Sequence, residues 1–174
     1  MNKLIRKDIF NIEAYKPGKP IEEVERELGI KGAVKLASNE NALGPSPLAL
    51  KAIRNALKSL NRYPEGTCFY LKKKLAEKLR VKESNLIFGN GSDELIDIIL
   101  KTIKEPGAEI ITADITFVEY KICGAINDFI VKTVPLLDFT FDLKKIRDAV
   151  TNKTKAIFIA NPNNPTLNVL PIRL

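Results

Sequence analysis

The sequence predicts an α/β fold, a mostly parallel sheet flanked by helices. Three observations carry that expectation. Short, near-continuous apolar segments such as Glu109–Ala113 and Ala156–Ala160 lack the in–out alternation of a sheet with one wet face. Stretches with apolar residues at helical spacing separate these segments. A glycine-bearing turn, Gly89-Asn90-Gly91-Ser92, joins an apolar segment to a helical one.

Taken in order, Pro20–Leu28 reads as a helix with Pro20 at its first position and Gly29 as its stop. Val34–Ser38 is a brief extended piece leading into the turn-like Asn39-Glu40-Asn41. Ser46-Pro47 opens a second helix, with Ser46 as N-cap and Pro47 at the next position. Leu50, Ile53, Leu57 and Leu60 then recur at helical spacing until Tyr63-Pro64-Glu65-Gly66 breaks the run. Leu71, Leu75 and Leu79 mark a third helix. Leu86–Phe88 is expected to be a short strand. The turn at Gly89 then opens a helix carrying Leu95, Ile96, Ile99, Leu100 and Ile103, which Pro106-Gly107 stops. Strand Glu109–Ala113, helix Phe117–Ala125, strand Phe129–Val134, helix Leu143–Val150 and strand Ala156–Ala160 follow. The loops at Gly89, Asp114 and Asn161 all follow expected strand ends. They should converge on the carboxyl edge, where sites in such sheets lie.

The 174 residues, 45% hydrophobic and 28% charged, suit a globular chain. No apolar run approaches the roughly 18 residues of a membrane span. Met1–Phe10 lacks the apolar region of a signal peptide, so a cytoplasmic protein without a membrane partner is expected. The absence of histidine excludes Ser-His-Asp and Cys-His chemistry and the HExxH zinc helix. Proton transfer then falls to a carboxylate, Lys, Tyr or an outside group. Cys68 and Cys123 form no metal or CxxC spacing and are expected to be reduced thiols. The formal charge is +7, but Lys72-Lys73-Lys74 is the only tight basic run. It lies in a helical stretch and reads as a solvated face rather than a nucleic-acid site.

Several constellations stand at loop positions. In Gly89-Asn90-Gly91-Ser92-Asp93-Glu94, backbone N–H groups at a helix start suit a phosphate, and glycine permits close approach. A plain glycine turn before a capped helix suits the spacing equally well. With Asp114 at the next strand end, Gly89-x-Gly91 partly mimics a dinucleotide fingerprint. Glu94, however, stands where the third glycine belongs. Asn161-Pro162-Asn163-Asn164-Pro165-Thr166 is a rigid turn whose amides either serve the turn or face a ligand. Thr116-Phe117-Val118-Glu119-Tyr120 sets aromatics at a strand end, for core packing or for stacking on a flat ring. Tyr63 is a phenol at a helix break, and Asn39–Asn41 belong either to a loop over a site or to a polar connection.

Together, KLASNENALGPSP at 35–47, RYPEG at 62–66, GNGSDELI at 89–96, TFVEY at 116–120 and PNNPT at 162–166 are far more specific than any one of them. The chain resembles the N-terminal half of the histidinol-phosphate aminotransferase family, pyridoxal-phosphate (PLP) enzymes of fold type I. The resemblance implies the aspartate-aminotransferase-like fold, incomplete at the C-terminus. It divides the chain into an arm and small-domain portion at 1–45, the first part of the large PLP-binding domain at 46–166, and an atypical tail at 167–174.

The resemblance also implies residue roles. Gly91, Ser92 and Asp93 would hold the PLP phosphate, Phe117 would stack on the pyridine ring, and Asn164 would bond the ring hydroxyl. Tyr63 would reach a phosphate in the partner subunit of a homodimer. Asn39, Glu40 and Asn41 would lie in the loop near the substrate. The implied substrates are histidinol phosphate and 2-oxoglutarate, in histidine biosynthesis. Ile115 replaces the family's usual proline, and Leu167 replaces the glycine that follows PNNPT. The lysine forming the PLP Schiff base belongs to a later segment, and no lysine before Thr166 matches it. A truncated, inactive chain with open strand edges and apolar helix faces is therefore expected. The alternatives are a non-catalytic phosphate- or partner-binding fragment, a threonine-phosphate decarboxylase and an aromatic aminotransferase.

Overall fold

The computed structural model describes residues 4–171. The readings of Met1–Lys3 and of the last three tail residues lie outside them. The helices are α1 (Ile21–Leu28), α2 (Pro47–Ala56), α3 (Phe69–Leu79), α4 (Gly91–Ile103), α5 (Glu119–Ile126) and α6 (Leu143–Asp148). The strands are β1 (Glu109–Ala113), β2 (Ile130–Val134) and β3 (Thr154–Ile157).

The chain forms two compact units, Tyr15–Ile87 and a unit made of Met1–Ala14 with Phe88–Leu174. These are units of compactness. The expected boundaries at 45 and 166 are a different partition, an assignment to the family's domains.

The second unit is built on the sheet, in the order β2-β1-β3, with both pairs parallel. Ile110 registers with Val131 and with Ala156. Parallel neighbours need crossovers, and α5 and α6 supply them. Because β1 is central, all five of its residues are buried, whereas the edge strands are only partly covered. One core cluster joins Ile96 and Leu100 of α4 and Cys123 of α5 to Ile110 and Phe129. The opposite one joins Ile111, Ala113 and Val134 to Phe141 and to Ile146 of α6. Helices therefore cover both faces, as the near-continuous apolar strands predict. Burial pushes the Cys123 thiol up to about 11, helped by the carboxylates of Glu119, Asp97 and Asp93, so it stays a protonated core group.

The unit Tyr15–Ile87 contains α1 to α3 and buries little. Ala76 is the only buried residue in its α-helices. Leu50, Ile53, Leu57 and Leu60 stay exposed, so the helical stripe read from the sequence has no partner among the described residues of this unit.

Several boundaries differ from expectation. Pro20 caps α1 instead of opening it. Ser46 precedes α2 as expected, but its side chain makes no capping bond, and the helix tightens into a 3-10 turn at Leu57–Ser59. α5 begins two residues after Phe117, and α6 ends two residues before Val150. Val34–Ser38 and Leu86–Phe88 join no strand among the described residues. A strand is defined by a neighbour's ladder, and apolar character supplies none. β3 starts at Thr154 because Glu109 on β1 registers with it. Lys155 lies within β3 and pairs with Glu105.

Candidate functional site

The loops after β1 and after β3 meet, both within the α/β unit. The joint is Asn163, only 1% exposed. Its Oδ1 accepts from the Thr116 hydroxyl at 2.8 Å. Its Nδ2 donates to the Ile115 carbonyl at 3.1 Å and to the Thr166 hydroxyl at 2.9 Å. The backbone closes the same turn, with the Asn163 N–H on the Asn168 carbonyl and the Leu167 N–H on the Asn163 carbonyl. Burying a side-chain amide is tolerable only when its donors and acceptor are met, and here they are.

Phe117 and Asn164 flank this joint. The partly buried Phe117 ring sits edge-on to Tyr120 at 5.5 Å, and Tyr120 stacks on Phe158 at 4.9 Å. Asn164 is half-buried, and its amide has no hydrogen-bond partner among the described residues.

The start of α4 belongs to the same region. Asp93 lies near enough to Glu119, the first residue of α5, to help raise its carboxyl pKa, although burial is the larger cause. Gly91, the first helical residue, has φ +85°, a left-handed value, and a Cβ there would meet open space. The cap position belongs to Asn90, whose side chain makes no capping bond. Ser92, expected to help hold a phosphate, is the second helical residue, and its hydroxyl donates to Asp93 at 3.2 Å. Glu94 folds back to accept the Asn90 N–H, and a Cβ on Gly89 would lie 2.9 Å from that carboxylate. The Gly91 N–H donates to the Gly89 carbonyl, no N-cap side chain accepts from the rest of the first turn of α4, and glycine is required at 91 by its left-handed φ rather than by crowding.

The dinucleotide alternative fails at both its acids. Glu94 is committed to the Asn90 N–H. Asp114 Oδ1 accepts from the N–H groups of Ile115 and Leu136, so it ties the end of β1 to the segment after β2.

The remaining expected site residues lie in the unit Tyr15–Ile87. Tyr63 is fully exposed. Glu40 pairs with Lys35 at 2.5 Å, Asn39 has φ +53°, and Asn41 Oδ1 accepts the Leu43 N–H. Glu65, beside Tyr63, was not read from the sequence as functional. Its carboxylate accepts from the Phe69 and Thr67 N–H groups and the Thr67 hydroxyl, which caps α3 and holds its pKa below the ordinary value. Asn163 was also missed, since the sequence marked only its neighbour. Among the described residues no acid–cysteine cluster is placed to hold a metal ion. None of their helices is long and apolar enough to cross a membrane.

A flat ring bearing a phosphate and a hydroxyl fits these residues. The space at Gly91, the partly buried Phe117 ring and the Asn164 amide, unpartnered among the described residues, are the groups that would have to receive its phosphate, its face and its hydroxyl.

The chain belongs to the class I and II aminotransferases, whose family model matches residues 31–173. Within that family, it is 49% identical over 161 residues to the histidinol-phosphate aminotransferase of Moorella thermoacetica, covering 92% of this chain and 42% of that protein. The histidinol-phosphate aminotransferase of Bacillus velezensis is 44% identical over 163 residues, covering 93% and 45%. The chain thus spans less than half the length of these relatives. Among solved structures, the Sinorhizobium meliloti histidinol-phosphate aminotransferase in complex with pyridoxal-5'-phosphate superposes with a TM-score of 0.80. It is 29% identical and the match covers 94% of this chain and 44% of that one. An aspartate aminotransferase mutant from Thermus thermophilus gives 0.77 at 25% identity, covering 96% and 47%. The fold is therefore part of the fold type I aminotransferase architecture.

Proposed function

We propose that this chain is the cofactor-side portion of a PLP-dependent aminotransferase, with histidinol-phosphate aminotransferase as the activity of the whole protein. That activity moves an amino group between glutamate and imidazole acetol phosphate, so its substrates include histidinol phosphate and 2-oxoglutarate. The observation that carries the reading is the unpartnered Asn164 amide, set beside the Phe117 turn by Asn163.

When bound, PLP supplies an electron sink for the bond changes at the amino-acid carbon. Gly91, Ser92 and Asp93 would hold its phosphate at the N-terminal end of α4. Phe117, edge-on to Tyr120, would stack on the ring, and Asn164 would donate to the ring hydroxyl. Tyr63 reaches a phosphate in the partner subunit of a homodimer, and Asn39, Glu40 and Asn41 form the loop near the substrate. The whole protein works in the cytoplasm.

Pyridoxamine 5'-phosphate, which cannot react with surface lysines, tests the binding half of this reading. Saturable one-to-one binding, weakened by Asn164→Ala, is expected, and absence of binding overturns it. Incubation with PLP, borohydride reduction and mass spectrometry test the rest. No single stoichiometric lysine adduct and no turnover are expected from the 174-residue chain. One adduct at one lysine with transamination refutes this.

A further inference from the structure

We infer that Asn163 is the positioning residue of this site, which holds the ring-stacking and hydroxyl-binding turns in one arrangement. The inference rests on the cofactor reading above. Its basis is the geometry of one buried amide. Through Thr116 and Ile115, Asn163 grips the turn that carries Phe117. Through its backbone and Thr166, it closes the turn that carries Asn164.

The grip extends further. The Thr166 hydroxyl donates to the Phe139 carbonyl at 2.9 Å, and Asn168 Nδ2 donates to the Asp138 carbonyl and the Thr140 hydroxyl at 3.1 Å. The turn after β2, where Leu137 and Thr140 exchange backbone bonds, is thereby tied to the same joint. Three loops at the carboxyl edge of the sheet thus share one polar network, with Asn163 at its most buried point.

The division of labour between the adjacent asparagines follows from their environments. Asn163 engages its side-chain oxygen and both amide donors inside the protein and is 1% exposed, so its amide is turned to the protein and not to a ligand. Asn164 has an amide without a partner among the described residues. Asn163 therefore acts through its neighbour and through Phe117, and does not touch the cofactor.

Asn163→Asp tests this. The variant keeps the shape, replaces the two donors by an acceptor, and leaves Ile115 O and Thr166 Oγ1 without their donor. Thr116→Val removes one partner only and serves where Asn163→Asp does not fold. The first readout needs no cofactor. In amide NMR spectra of the 174-residue chain, Asn163→Asp or Thr116→Val shifts resonances of both turns, Ile115–Val118 and Asn161–Asn168. Asn164→Ala shifts its own turn alone. Shifts confined to one turn in the Asn163 or Thr116 variant overturn the inference.

The second readout is the affinity for pyridoxamine 5'-phosphate. Loss of a buried amide's bonds weakens binding by about tenfold in the parent background. The same substitution has little further effect in an Asn164→Ala, Phe117→Ala background, because the groups it positions are gone. An equal factor in both backgrounds marks a merely structural residue and refutes positioning. Unchanged affinity in Asn163→Asp refutes positioning alone. No binding by the unmodified chain overturns the cofactor reading, and the positioning role with it.

Discussion

Gly124 makes a demanding test of the packing, because two well-measured effects oppose each other there. In a helix interior, replacing Gly by Ala ordinarily stabilises by about 1 kcal/mol. Gly124, however, is buried in α5 and packs on the sheet. A Cβ at that position would lie 2.4 Å from Ile110 Cδ1 and 2.9 Å from Val131 Cγ2. Both distances are below contact. The two residues register with each other on β1 and β2, and Ile110, the nearer, is 0% exposed, so its side chain has no solvent to swing into. Overpacking of this kind costs about 1–3 kcal/mol. The clash is expected to win, with Gly124→Ala less stable by about 1–2 kcal/mol. Native-state hydrogen exchange of the Ile110–Thr112 amides reads the opening of this unit directly. Ile110→Val removes the nearer methyl at an ordinary cost of about 0.5–1.5 kcal/mol. It should cost clearly less in the Gly124→Ala background. A variant more stable than the parent, or equal Ile110→Val costs in both backgrounds, refutes the packing argument.

Leu167 holds φ +61° where the resembled family has glycine, and its side chain is mostly exposed. A left-handed backbone costs a non-glycine residue about 1–2 kcal/mol, so Leu167→Gly should lose no stability whereas β-branched Leu167→Val should lose about 1 kcal/mol or more; equal effects on denaturant midpoint count against that strain. Asp97 and Glu119 should give pH dependences of opposite sign. The Asn127 amide, with Lys101, holds the Asp97 carboxyl below its ordinary value. That stability is present above the ordinary carboxylate range and is lost as pH falls through the depressed value. Asp97→Asn should thus destabilise near neutrality, with the deficit shrinking in acid. Burial, then Asp93, raises the Glu119 carboxyl. Its stability is full below the ordinary glutamate value and is lost as pH rises through the raised one. Glu119→Gln should then equal or exceed the parent near neutrality and lose that advantage in acid. Melting curves across pH check both, and parallel profiles for the two variants refute the assignment.

Helices were legible where local chemistry decides them. Gly29 and Pro47 stand at α1's stop and α2's start because their preferences act on their own backbone. β1 was legible to the residue because a central strand is covered on both faces: Ile110, Ile111 and Ala113 are apolar, and the buried Glu109 and Thr112 have their polar atoms paired. Leu86–Phe88 has similar character but no ladder, and no local signal reveals a missing neighbour. The same limit governs the site. Asn163-Asn164 reads as two equivalent amides in sequence. Only the approach of the Thr116 turn makes one a buried joint and leaves the other unpartnered. Asp114, which resembled a ribose ligand, accepts from the adjacent Ile115 N–H and from the Leu136 N–H, more than twenty residues on.

The electrostatics of the site follow from where its charges lie. The chain carries +7, yet the helix starts that would receive a phosphate hold Asp93, Glu94 and Glu119. Glu94 is drawn onto the Asn90 N–H, and the nearest described lysine of α5 is drawn onto the Asp114 carbonyl. What remains for an anion is the helix end, about half an elementary charge and worth about 0.3–1 kcal/mol when exposed. That is too little to offset the acids beside it. On the proposed cofactor reading, this unit would therefore hold a phosphorylated ring by geometry: the space at Gly91, the Phe117 face and the Asn164 amide. A joint that fixes such geometry matters more here than any single charge, and Asn163 is that joint.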